Sequence, residues 1–573
     1  MPVHNAEIAA MFDQAAELLE IKGDNPFRTR AYRRAARTIE GWPKSVAGLL
    51  KSGEDLSELP GIGKDLAGKI ATIVATGKFD LLESLKHELP GDLGEIAALP
   101  GLGPKRVKQL YDELRIRSVE DLTRAAKAGR LRELHGFGEK SEAKLLAALG
   151  KPVAEKRVRI DIAEAEAESL VSYLRQFVGQ GQVVVAGSYR RRRDTVGDLD
   201  ILATARNGKA VGEQLTKYEN VASVVAHGPT RTTVVLRSGL QVDLRIVPAV
   251  SYGAALMYFT GSKAHNIALR GIANDHGWKL NEYGLFDGNR RIAGATEEEI
   301  YKKLKLPTIP PEMREDRGEI ALAQKRLLPN LVSLDDIRGD LHVHSNWSDG
   351  TVDIGGMAKA AKQRGYAYMA LTDHSKHVTV AHGLDARRLS RQIDTIDRLN
   401  ETLDGFVVLK GVELDILADG RLDLPDQILS RLDIVVAAVH YKFDLSRAVQ
   451  TERIMRAMDN RHVSILAHPT GRLIGERESY EVDMERLMMA AHERDIYLEI
   501  NAQPERLDLN DVHIQAAKSL GLKLAISTDA HSVAALGYMR FGVDQARRGW
   551  LEPADVINTR SLAALKKLLK ARR

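Results

Sequence analysis

The sequence predicts a multidomain fold in which an α-helical N-terminal part precedes an α+β middle part and an α/β C-terminal part. Residues 1–85 place apolar side chains at helical spacing, and a Pro-Gly turn within them recurs further along the chain. Residues 158–250 alternate apolar and polar side chains, as half-buried strands do. Residues 335–573 alternate short apolar runs with helical stretches, a rhythm that is typical of parallel βα units.

Composition limits the chemistry that the chain can support. The 573 residues include no cysteine, so metal ions must be held by His, Asp and Glu. Residues 1–334 hold 50 Lys and Arg against 43 Asp and Glu, and residues 335–573 hold 33 against 35, which favours nucleic-acid binding by the front. Eleven of the 17 histidines lie in residues 335–573, which indicates a metal domain there. With neither a signal peptide nor a transmembrane run, we expect a soluble intracellular protein with no membrane partner.

The N-terminal part carries three related turns, each followed by an amphipathic helix. Leu59-Pro60-Gly61-Ile62-Gly63 recurs at residues 99–103 and, without the proline, at residues 134–138. A tight Gly-x-Gly turn that enters a helix presents backbone N–H groups to a phosphate, which gives sequence-independent binding. These turns resemble helix-hairpin-helix DNA-binding elements. The glycines that we expect at the DNA backbone are Gly61, Gly63, Gly101, Gly103, Gly136 and Gly138.

The segment Leu59 to Phe79 resembles the N-terminal lyase domain of polymerase beta-like enzymes. By this resemblance Lys69 matches the lysine that attacks an abasic sugar, and Tyr32 matches a tyrosine of that pocket. A lysine amine is nucleophilic only when nearby cations or burial lower its pKa. Asp65 stands where the family has another lysine. The sequence therefore leaves open whether Lys69 is a nucleophile or a surface lysine of a DNA-binding helix.

The middle part is organised around carboxylates on predicted strands. Alternation along residues 198–201 places Asp198 and Asp200 on one face, and residues 241–247 repeat the pattern with Asp243. Three acids on adjacent strands can hold two metal ions, and Mg²⁺ prefers such oxygen ligands. The sequence therefore predicts a two-metal site for phosphoryl transfer.

A Gly-Ser turn and a basic segment separate the first predicted strand from these acids. Gly187 lets a phosphate approach the backbone, while Ser188 and Arg191 can donate to its oxygens. With Gly197-Asp198-Leu199-Asp200, this stretch resembles the nucleotidyltransferase signature of the X-family DNA polymerases. The resemblance implies two Mg²⁺ in a palm active site, where Asp243 is the best candidate for drawing the proton of a 3′-hydroxyl. The short turn at residues 237–240 favours templated synthesis.

The stretch Tyr258 to Arg270 resembles the thumb motif that lines the nascent base pair. By this resemblance Tyr258 and Phe259 exclude a 2′-hydroxyl, and Asn266 and Arg270 face the minor groove. Lys263 replaces an aspartate of polymerase beta, so a cation can hold the incoming nucleotide. The implied nucleotide-binding residues are Gly187, Ser188, Arg191, Gly197, Tyr258, Phe259, Gly261, Lys263 and Asn266, and Arg245 and Arg270 join the hairpin glycines as DNA-binding residues.

The C-terminal part places His, Asp and Glu after short apolar runs. Parallel strands bring their C-terminal ends to one mouth, which predicts one metal site. In order and identity these residues resemble the PHP (polymerase and histidinol phosphatase) metal-dependent phosphoesterases, which implies a distorted TIM-like barrel with up to three metals. Mixed imidazole and carboxylate ligation favours Mn²⁺ or Zn²⁺ over Mg²⁺. The implied ligands are His342, His344, Asp349, His374, Glu413, His440, His468, Asp529 and His531.

The resemblances together identify the chain as a member of the bacterial and archaeal X-family polymerases with a C-terminal PHP domain. They imply a monomeric, cytoplasmic, nucleoid-associated enzyme that binds gapped or nicked duplex DNA and dNTPs and fills short gaps in base-excision or end-joining repair. Its PHP domain would act as a 3′-5′ exonuclease, remove 3′ blocking groups and, in this family, also cut at abasic sites. Other repair proteins are further expected partners.

The resemblances also divide the chain into domains. The predicted domains are a helical lyase-like DNA-binding domain (1–85), fingers with helix-hairpin-helix turns (86–150), a nucleotidyltransferase palm (151–255), a thumb (256–315), a linker (316–334) within a Pro-rich segment that contains a helix, and the PHP domain (335–573).

Two other functions stay open at this point. A DNA 3′-end phosphoesterase that uses a weak polymerase as a platform would keep nuclease activity after Asp243→Ala while gap filling is negligible. A non-enzymatic DNA-end-binding scaffold would depend on the three hairpins. The scaffold is excluded if alanine at the acids abolishes function without weakening DNA binding.

Overall fold

The computed structural model describes residues 5–40, 42, 46–89, 93, 96, 102, 104–134, 137, 138, 142, 145 and 157–570. The chain forms two compact units, residues 1–156 and residues 157–573. This division lies close to the boundary predicted after Gly150. Gly101, Gly103 and Gly136, which we expect to bind DNA, lie outside the described residues.

The first unit is helical where the structure describes it, as the sequence predicts. Phe12, Tyr32 and Phe79 form its aromatic centre, with ring centroids 5.0 Å apart for Phe12 and Phe79 and 5.4 Å apart for Phe12 and Tyr32. These contacts fix the first two helices against the start of the fifth. The helices are α1 (Asn5–Lys22), α2 (Pro26–Glu40), α3 (Val46–Lys51), α4 (Lys64–Thr76), α5 (Asp80–Glu88), α6 (Pro104–Leu114) and α7 (Val119–Lys127).

The second unit begins with a five-stranded sheet in the order β2-β4-β7-β6-β5, in which β4 and β7 are parallel. Leu199 on β4 and Val242 on β7 are fully buried beneath α8 and α10, so the acids on these strands face the other way. The elements are β1 (Val158–Arg159), α8 (Ile160–Arg175), β2 (Val183–Val185), α9 (Gly187–Arg190), β3 (Thr195–Val196), β4 (Asp198–Ala203), α10 (Gly208–Thr216), β5 (Val221–His227), β6 (Arg231–Leu236) and β7 (Gln241–Ile246).

The predicted Gly-Ser turn before the acids is a single helical turn, α9, instead of an open turn. Gly187 takes a positive φ of 62° as this turn begins. The basic segment that follows then returns the chain into β3 and β4.

The next elements pack helices against a small antiparallel sheet in the order β10-β9-β8. The Pro-rich segment contains the predicted helix, α14, but it is packed and not an exposed spacer, since Arg314 and Glu319 are fully buried. The elements are α11 (Tyr252–Thr260), α12 (Lys263–Asp275), β8 (Trp278–Asn281), β9 (Gly284–Asp287), β10 (Arg290–Ala293), α13 (Glu297–Lys303) and α14 (Glu319–Gln324).

The C-terminal part alternates strands and helices, and all strands in its two sheets, β11-β12-β13 and β14-β15-β16-β17-β18, are parallel. Isolated parallel bridges join His374 to Glu413 and Val343 to Ala530, and closure into the predicted barrel stays a prediction. The elements are β11 (Gly339–Val343), α15 (Ile354–Gln363), β12 (Tyr368–Leu371), α16 (Ala386–Thr402), β13 (Val407–Lys410), β14 (Glu413–Asp415), α17 (Asp426–Leu429), β15 (Val436–Ala438), α18 (Arg447–Met458), β16 (Ile465–Leu466), α19 (Met484–Glu493), β17 (Tyr497–Asn501), α20 (Asp511–Ser519), β18 (Leu524–Ser527), α21 (Met539–Arg548) and α22 (Leu562–Lys570).

Within the second unit, the C-terminal part packs directly on the two parts before it. Leu507 and Phe541 are buried in the core of the five-stranded sheet, and Trp550 is buried in the core around α11 to α14. None of the described helices is both long enough and apolar enough to cross a membrane.

Two candidate active sites

The three acids of the middle part meet on one face of the five-stranded sheet. Asp200 and Asp243 are direct neighbours in the parallel pairing of β4 with β7. Asp198 lies two residues before Asp200, so strand alternation places it on the same face. The predicted alternation is therefore what the structure shows, and the carboxylates lie side by side.

Asp243 is held by several hydrogen-bond donors. Its Oδ1 accepts from Arg231 (Nη2 at 2.8 Å, Nε at 3.1 Å) and from Thr233 Oγ1 at 2.6 Å, and its Oδ2 accepts from Gln241 Nε2 at 2.8 Å. Burial raises the pKa of Asp243, but these donors outweigh it and the pKa is lowered. A proton-accepting role for Asp243 stays a prediction, because it requires Arg231, whose side chain is half exposed, to release the carboxylate.

Asp200 is the carboxylate of the three whose charge is most strongly disfavoured by its surroundings. Burial and repulsion by Asp198 and Asp243 raise its pKa to about 7, although Arg245 and Arg191 act in the opposite direction. Carboxylates in this arrangement repel one another unless a cation lies between them. The donor set is all oxygen and fits Mg²⁺.

Gly187 and Arg191 bring the basic segment close to these acids. A Cβ on Gly187 would lie 2.6 Å from Asp200 Oδ2, so a side chain at this position would collide with the acid. The Arg191 side chain is only 12% exposed and donates to the Thr260 carbonyl at 2.5 Å and to Glu315 at 3.1 Å. The guanidinium predicted to bind a phosphate is therefore fixed between the sheet and the following helices.

The aromatic pair of the predicted thumb motif lies at the end of α11. The Tyr258 and Phe259 rings are 5.2 Å apart and nearly perpendicular, and Arg245 on β7 lies 4.8 Å from the Phe259 ring centre. Asn266 is buried and donates to the Tyr258 carbonyl at 2.7 Å, and Arg270 donates to the Asn266 carbonyl at 3.3 Å. These contacts place the pair beside the strand that carries Asp243. Of the remaining predicted nucleotide-binding residues, Ser188 lies in α9, Gly197 directly precedes β4, Gly261 follows α11 and Lys263 begins α12.

In the first unit, Lys69 is paired with Asp65 one helical turn earlier on α4. Tyr32 is 2% exposed in the aromatic centre, and its hydroxyl lacks a hydrogen-bond partner in the described part of the chain. Gly61 has a φ of 79°, and a Cβ there would collide with Arg34; a Cβ on Gly63, the N-cap residue directly before α4, would meet nothing within 4 Å. The first hairpin thus leaves the helix terminus accessible to a phosphate, and Lys69 activity stays a prediction.

The nine predicted ligands of the C-terminal part gather where its parallel strands end. Glu413 is the centre of this cluster and is almost fully buried. Its carboxylate oxygens lie 2.7 Å from His374, 3.0 Å from His468, 3.1 Å from His440, 3.5 Å from His342 and 3.6 Å from His344. The other acids connect the rest, since Asp529 lies 3.1 Å from His344 and Asp349 lies 3.3 Å from His531.

Three groups within this cluster have donor atoms close enough to share one ion each. They are His344, Asp349, His374 and His531; His342, His344 and Asp529; and His374, Glu413 and His440. Within the described residues, buried ring nitrogens of His342, His344, His374 and His468 and the Oε2 atom of Glu413 make no well-aligned hydrogen bond, although Glu413 Oε2 lies 2.7 Å from His374 Nδ1. Unsatisfied buried polar atoms are costly, so their concentration here fits bound cations. His468 joins none of the three groups, and its ligand role stays a prediction.

Local electrostatics set the protonation of the cluster. Burial, with His531 and His374 nearby, lowers the pKa of His344 to about 3, which keeps its ring neutral as ligation requires. Burial raises the pKa of Asp349, but His531, His374 and His344 outweigh it and hold the value at about 2. Burial lowers the pKa of His440 and His531, but neighbouring acids outweigh it and raise the values to about 10 and about 9, so these two rings must release a proton when they bind a metal.

Sequence reasoning missed the acids that orient these ligands. Glu499 on β17 accepts from His342 Nδ1 at 2.7 Å and from the His468 backbone N–H at 2.8 Å, and Asp415 lies 3.2 Å from His440 Nδ1. Such partners fix the ring orientation of a metal-binding histidine. A signal was present, because Glu499 interrupts an otherwise apolar buried strand and Asp415 follows Glu413 at the same-face spacing of two.

Family models match most of the chain. The helix-hairpin-helix domain matches residues 3–79, and a SAM-like helix-hairpin-helix tandem matches 54–115 and 93–151. The DNA polymerase beta palm matches 159–249, the DNA polymerase beta thumb matches 255–315 and the PHP domain matches 340–503. Asp529 and His531 lie beyond the PHP match, yet the fold brings both into the nine-residue cluster.

Individual proteins extend this likeness to the full chain. The DNA polymerase/3′-5′ exonuclease PolX of Bacillus subtilis (strain 168) is 41% identical over 573 residues, covering 99% of this chain and all of that protein. DNA polymerase lambda of Arabidopsis thaliana is 28% identical over 55% of this chain and 62% of that protein. A probable phosphatase of a Thermoanaerobacter species is 30% identical over 38% of this chain and 87% of that protein. Because the likeness to PolX is end to end, the chain belongs to the X-family DNA polymerases that carry a C-terminal PHP domain.

Proposed function

We propose that this protein is a DNA-directed DNA polymerase that fills short gaps and uses its PHP domain as a 3′-5′ exonuclease on the same ends. The observation that carries the proposal is the placement of Asp200 beside Asp243 in a chain that also assembles the nine-residue PHP cluster. The first set suits transfer of a nucleotide to a 3′-hydroxyl, and the second suits removal of one.

At the palm, each group has a distinct task. Asp198, Asp200 and Asp243 would hold two Mg²⁺ ions, whose chemistry there would be to neutralise negative charge that develops during nucleotidyl transfer. Gly187 lets the backbone pass close to Asp200 without a collision, and Arg191, held by the Thr260 carbonyl, supplies a fixed positive charge for the phosphates. Tyr258 and Phe259 pack on the sugar of the incoming nucleotide.

At the PHP domain, the nine-residue cluster would hold up to three Mn²⁺ or Zn²⁺ ions, whose chemistry there would be to activate water and to neutralise charge on a phosphate. Glu499 and Asp415 orient the histidines that bind them. The terminal 3′ nucleotide or a 3′ blocking group is the leaving portion, and cleavage at abasic sites belongs to the same chemistry. Because Lys69 is paired with Asp65, we assign end processing to the PHP domain and not to a lyase lysine.

In the cell, the protein acts as a monomer on gapped or nicked duplex DNA in the cytoplasm. The hairpin glycines bind the DNA backbone without reading sequence. Removal of a damaged end followed by filling suits base-excision or end-joining repair.

The deciding experiment uses a one-nucleotide gapped duplex labelled on the primer, with Mn²⁺, in the presence and absence of dNTPs. We compare the wild type with Asp243→Ala and His344→Ala. Extension lost only in the first variant and 3′ shortening lost only in the second supports the two-site function. Shortening that persists in His344→Ala contradicts the PHP assignment. Negligible extension by the wild type, with shortening intact, would instead make the protein a DNA 3′-end phosphoesterase.

A further inference from the structure

A buried ionic cluster joins the palm, the segment before the PHP domain and the PHP domain itself. We call it the junction cluster. It contains two carboxylates and four guanidinium groups. Its members are Arg191, Arg193, Glu315, Arg317, Asp511 and Arg548.

Arg548, the last residue of α21, is the centre of the junction cluster. It is only 2% exposed. Its Nη1 donates to the Arg191 backbone carbonyl at 2.6 Å and to Glu315 Oε1 at 3.1 Å, and its Nη2 pairs with Asp511. Arg317 pairs with the same Asp511 oxygen at 3.0 Å. A PHP residue thus fixes the backbone of the palm's basic segment.

Arg548 also competes for the partner of Arg191. Both guanidinium groups lie 3.1 Å from Glu315 Oε1, and Arg193 lies 3.8 Å from it. One carboxylate oxygen shared among several cations cannot neutralise each of them. Arg191 therefore keeps positive charge that a single Glu315 partner would otherwise cancel.

The retained charge lies beside the turn that follows α11. Arg191 Nη1 donates to the Thr260 carbonyl at 2.5 Å and would lie 3.2 Å from a Cβ on Gly261. The guanidinium therefore lies at the turn that leads into α12, and its backbone directly follows α9, whose Gly187 lies against Asp200. A buried cation with incomplete neutralisation favours an incoming anion there.

We propose that Arg548 of the PHP domain is a positioning residue for nucleotidyl transfer, which holds the Arg191 backbone and keeps the Arg191 guanidinium available for the triphosphate of the incoming nucleotide. This inference rests on the proposed polymerase function and deepens it, since a residue of the phosphoesterase domain then sets nucleotide affinity at the polymerase site.

The neighbouring arginine supplies a matched control. Arg547 donates to Glu312 at 2.7 Å and to the Val332 carbonyl at 3.1 Å, so it also ties α21 to the preceding segment. Neither of these partners belongs to the basic segment. Arg547→Met removes an interdomain contact of the same kind without touching Arg191.

The experiment measures KM for dNTP, kcat for extension, KM for gapped DNA, 3′ shortening and thermal unfolding in the full chain. Arg548→Met is expected to raise KM for dNTP about tenfold, since a buried charged hydrogen bond is lost. KM for DNA and the rate of 3′ shortening should stay near the wild type. Arg548→Lys should recover part of the loss, because an ammonium can still donate to the Arg191 carbonyl. Arg547→Met should leave KM for dNTP unchanged.

Several outcomes would overturn the inference. An equal rise in KM for both Met variants, or a rise only in step with lost 3′ shortening and a lower unfolding temperature, would make Arg548 a contact between domains and nothing more. An unchanged KM in Arg548→Met would also overturn it while leaving the polymerase function intact. Absence of extension in the wild type is a distinct result, because it overturns the proposed function itself.

Discussion

The palm and PHP sites are both candidate sites for divalent cations, but they differ in the side chains that would bind them. The palm set consists of three carboxylates, of which Asp200 has its pKa raised to about 7 by burial and by the other two. The PHP set consists of six histidines and three acids, packed so that each acid lies within reach of imidazole nitrogens. The palm carries uncompensated negative charge, whereas the PHP cluster balances its own charge.

From this difference we expect the palm to receive its ions with the substrate and the PHP cluster to keep its ions bound. Carboxylates alone bind Mg²⁺ weakly, and the nucleotide phosphates complete the coordination. Buried imidazole and carboxylate together bind Mn²⁺ or Zn²⁺ tightly, and supporting acids such as Glu499 hold the rings in place. The two activities should therefore respond differently when ligands or ions are removed.

The largest effect is expected from Asp200→Asn. With only three acids, the loss of one charge leaves the palm without a competent two-metal site, so extension should fall about 10³-fold or more. Shortening of the 3′ end should continue at the wild-type rate. Single-turnover extension of a gapped primer measures the first, and release of labelled nucleotide without dNTPs measures the second. A fall in both would mean that the two sites are not independent.

The second-largest effect is expected when metal ions are removed, because extension and 3′ shortening should then respond differently. After desalting into metal-free buffer, extension should fall about 10²-fold until Mg²⁺ is added, because the palm acids bind it weakly. Shortening of the 3′ end should persist, and elemental analysis should find Mn or Zn still bound. His344→Ala, treated in the same way, should retain fewer ions. Loss of both activities on desalting would contradict the expectation that the palm binds its ions weakly and the PHP cluster binds its ions tightly.

Glu499→Gln tests the supporting residues of the PHP cluster. A glutamine keeps the shape but loses one acceptor, so either the His342 ring or the His468 backbone N–H loses its partner. Orienting partners of metal ligands are worth about 10–100-fold, and 3′ shortening should fall by that amount with extension unchanged. Glu493→Gln, on the exposed surface of α19, is the matched control and should change neither activity. Equal loss in both variants would rule out a specific orienting role.

The sequence was sufficient where a local period determines the outcome. Alternation along residues 198–201 and 241–246 predicts that the acids share one face, and β4 and β7 confirm it. The βα rhythm predicts parallel strands, and the pairing within the two sheets of β11 to β18 confirms it. These features depend on neighbours one to four residues apart, which a sequence displays directly.

The sequence was insufficient where partners are distant along the chain. Arg191 and Arg548 are 357 positions apart, and His342 and Glu499 are 157 apart, so no local pattern pairs them. The same limit explains the Pro-rich segment. Its charges suggest an exposed linker, but Arg314 is buried against Glu297, where ion pairing compensates for the loss of water.

The smallest expected effect concerns stability, and it tests whether the palm carries excess negative charge. In the metal-free protein, unfolded Asp200 loses its proton near its ordinary pKa of 3.8, but folded Asp200 keeps it up to about 7. The folded state therefore holds more protons in this window, and stability should fall as pH rises through it. Asp200→Asn should lose less, so its unfolding temperature should exceed that of the wild type by a few degrees at about pH 8.

Repeating the melting measurement with Mg²⁺ tests whether the charge at Asp200 is neutralised by a cation. Added Mg²⁺ at about pH 8 should raise the unfolding temperature of the wild type, because binding to the folded state is linked to stability, and should raise that of Asp200→Asn less. Asp287→Asn, at the exposed last position of β9, controls for the loss of one negative charge and should follow the wild type. Parallel melting curves for the wild type and Asp200→Asn across this pH range would show that Asp200 is not under electrostatic strain. The contrast between the two metal sites would then rest on ligand number alone.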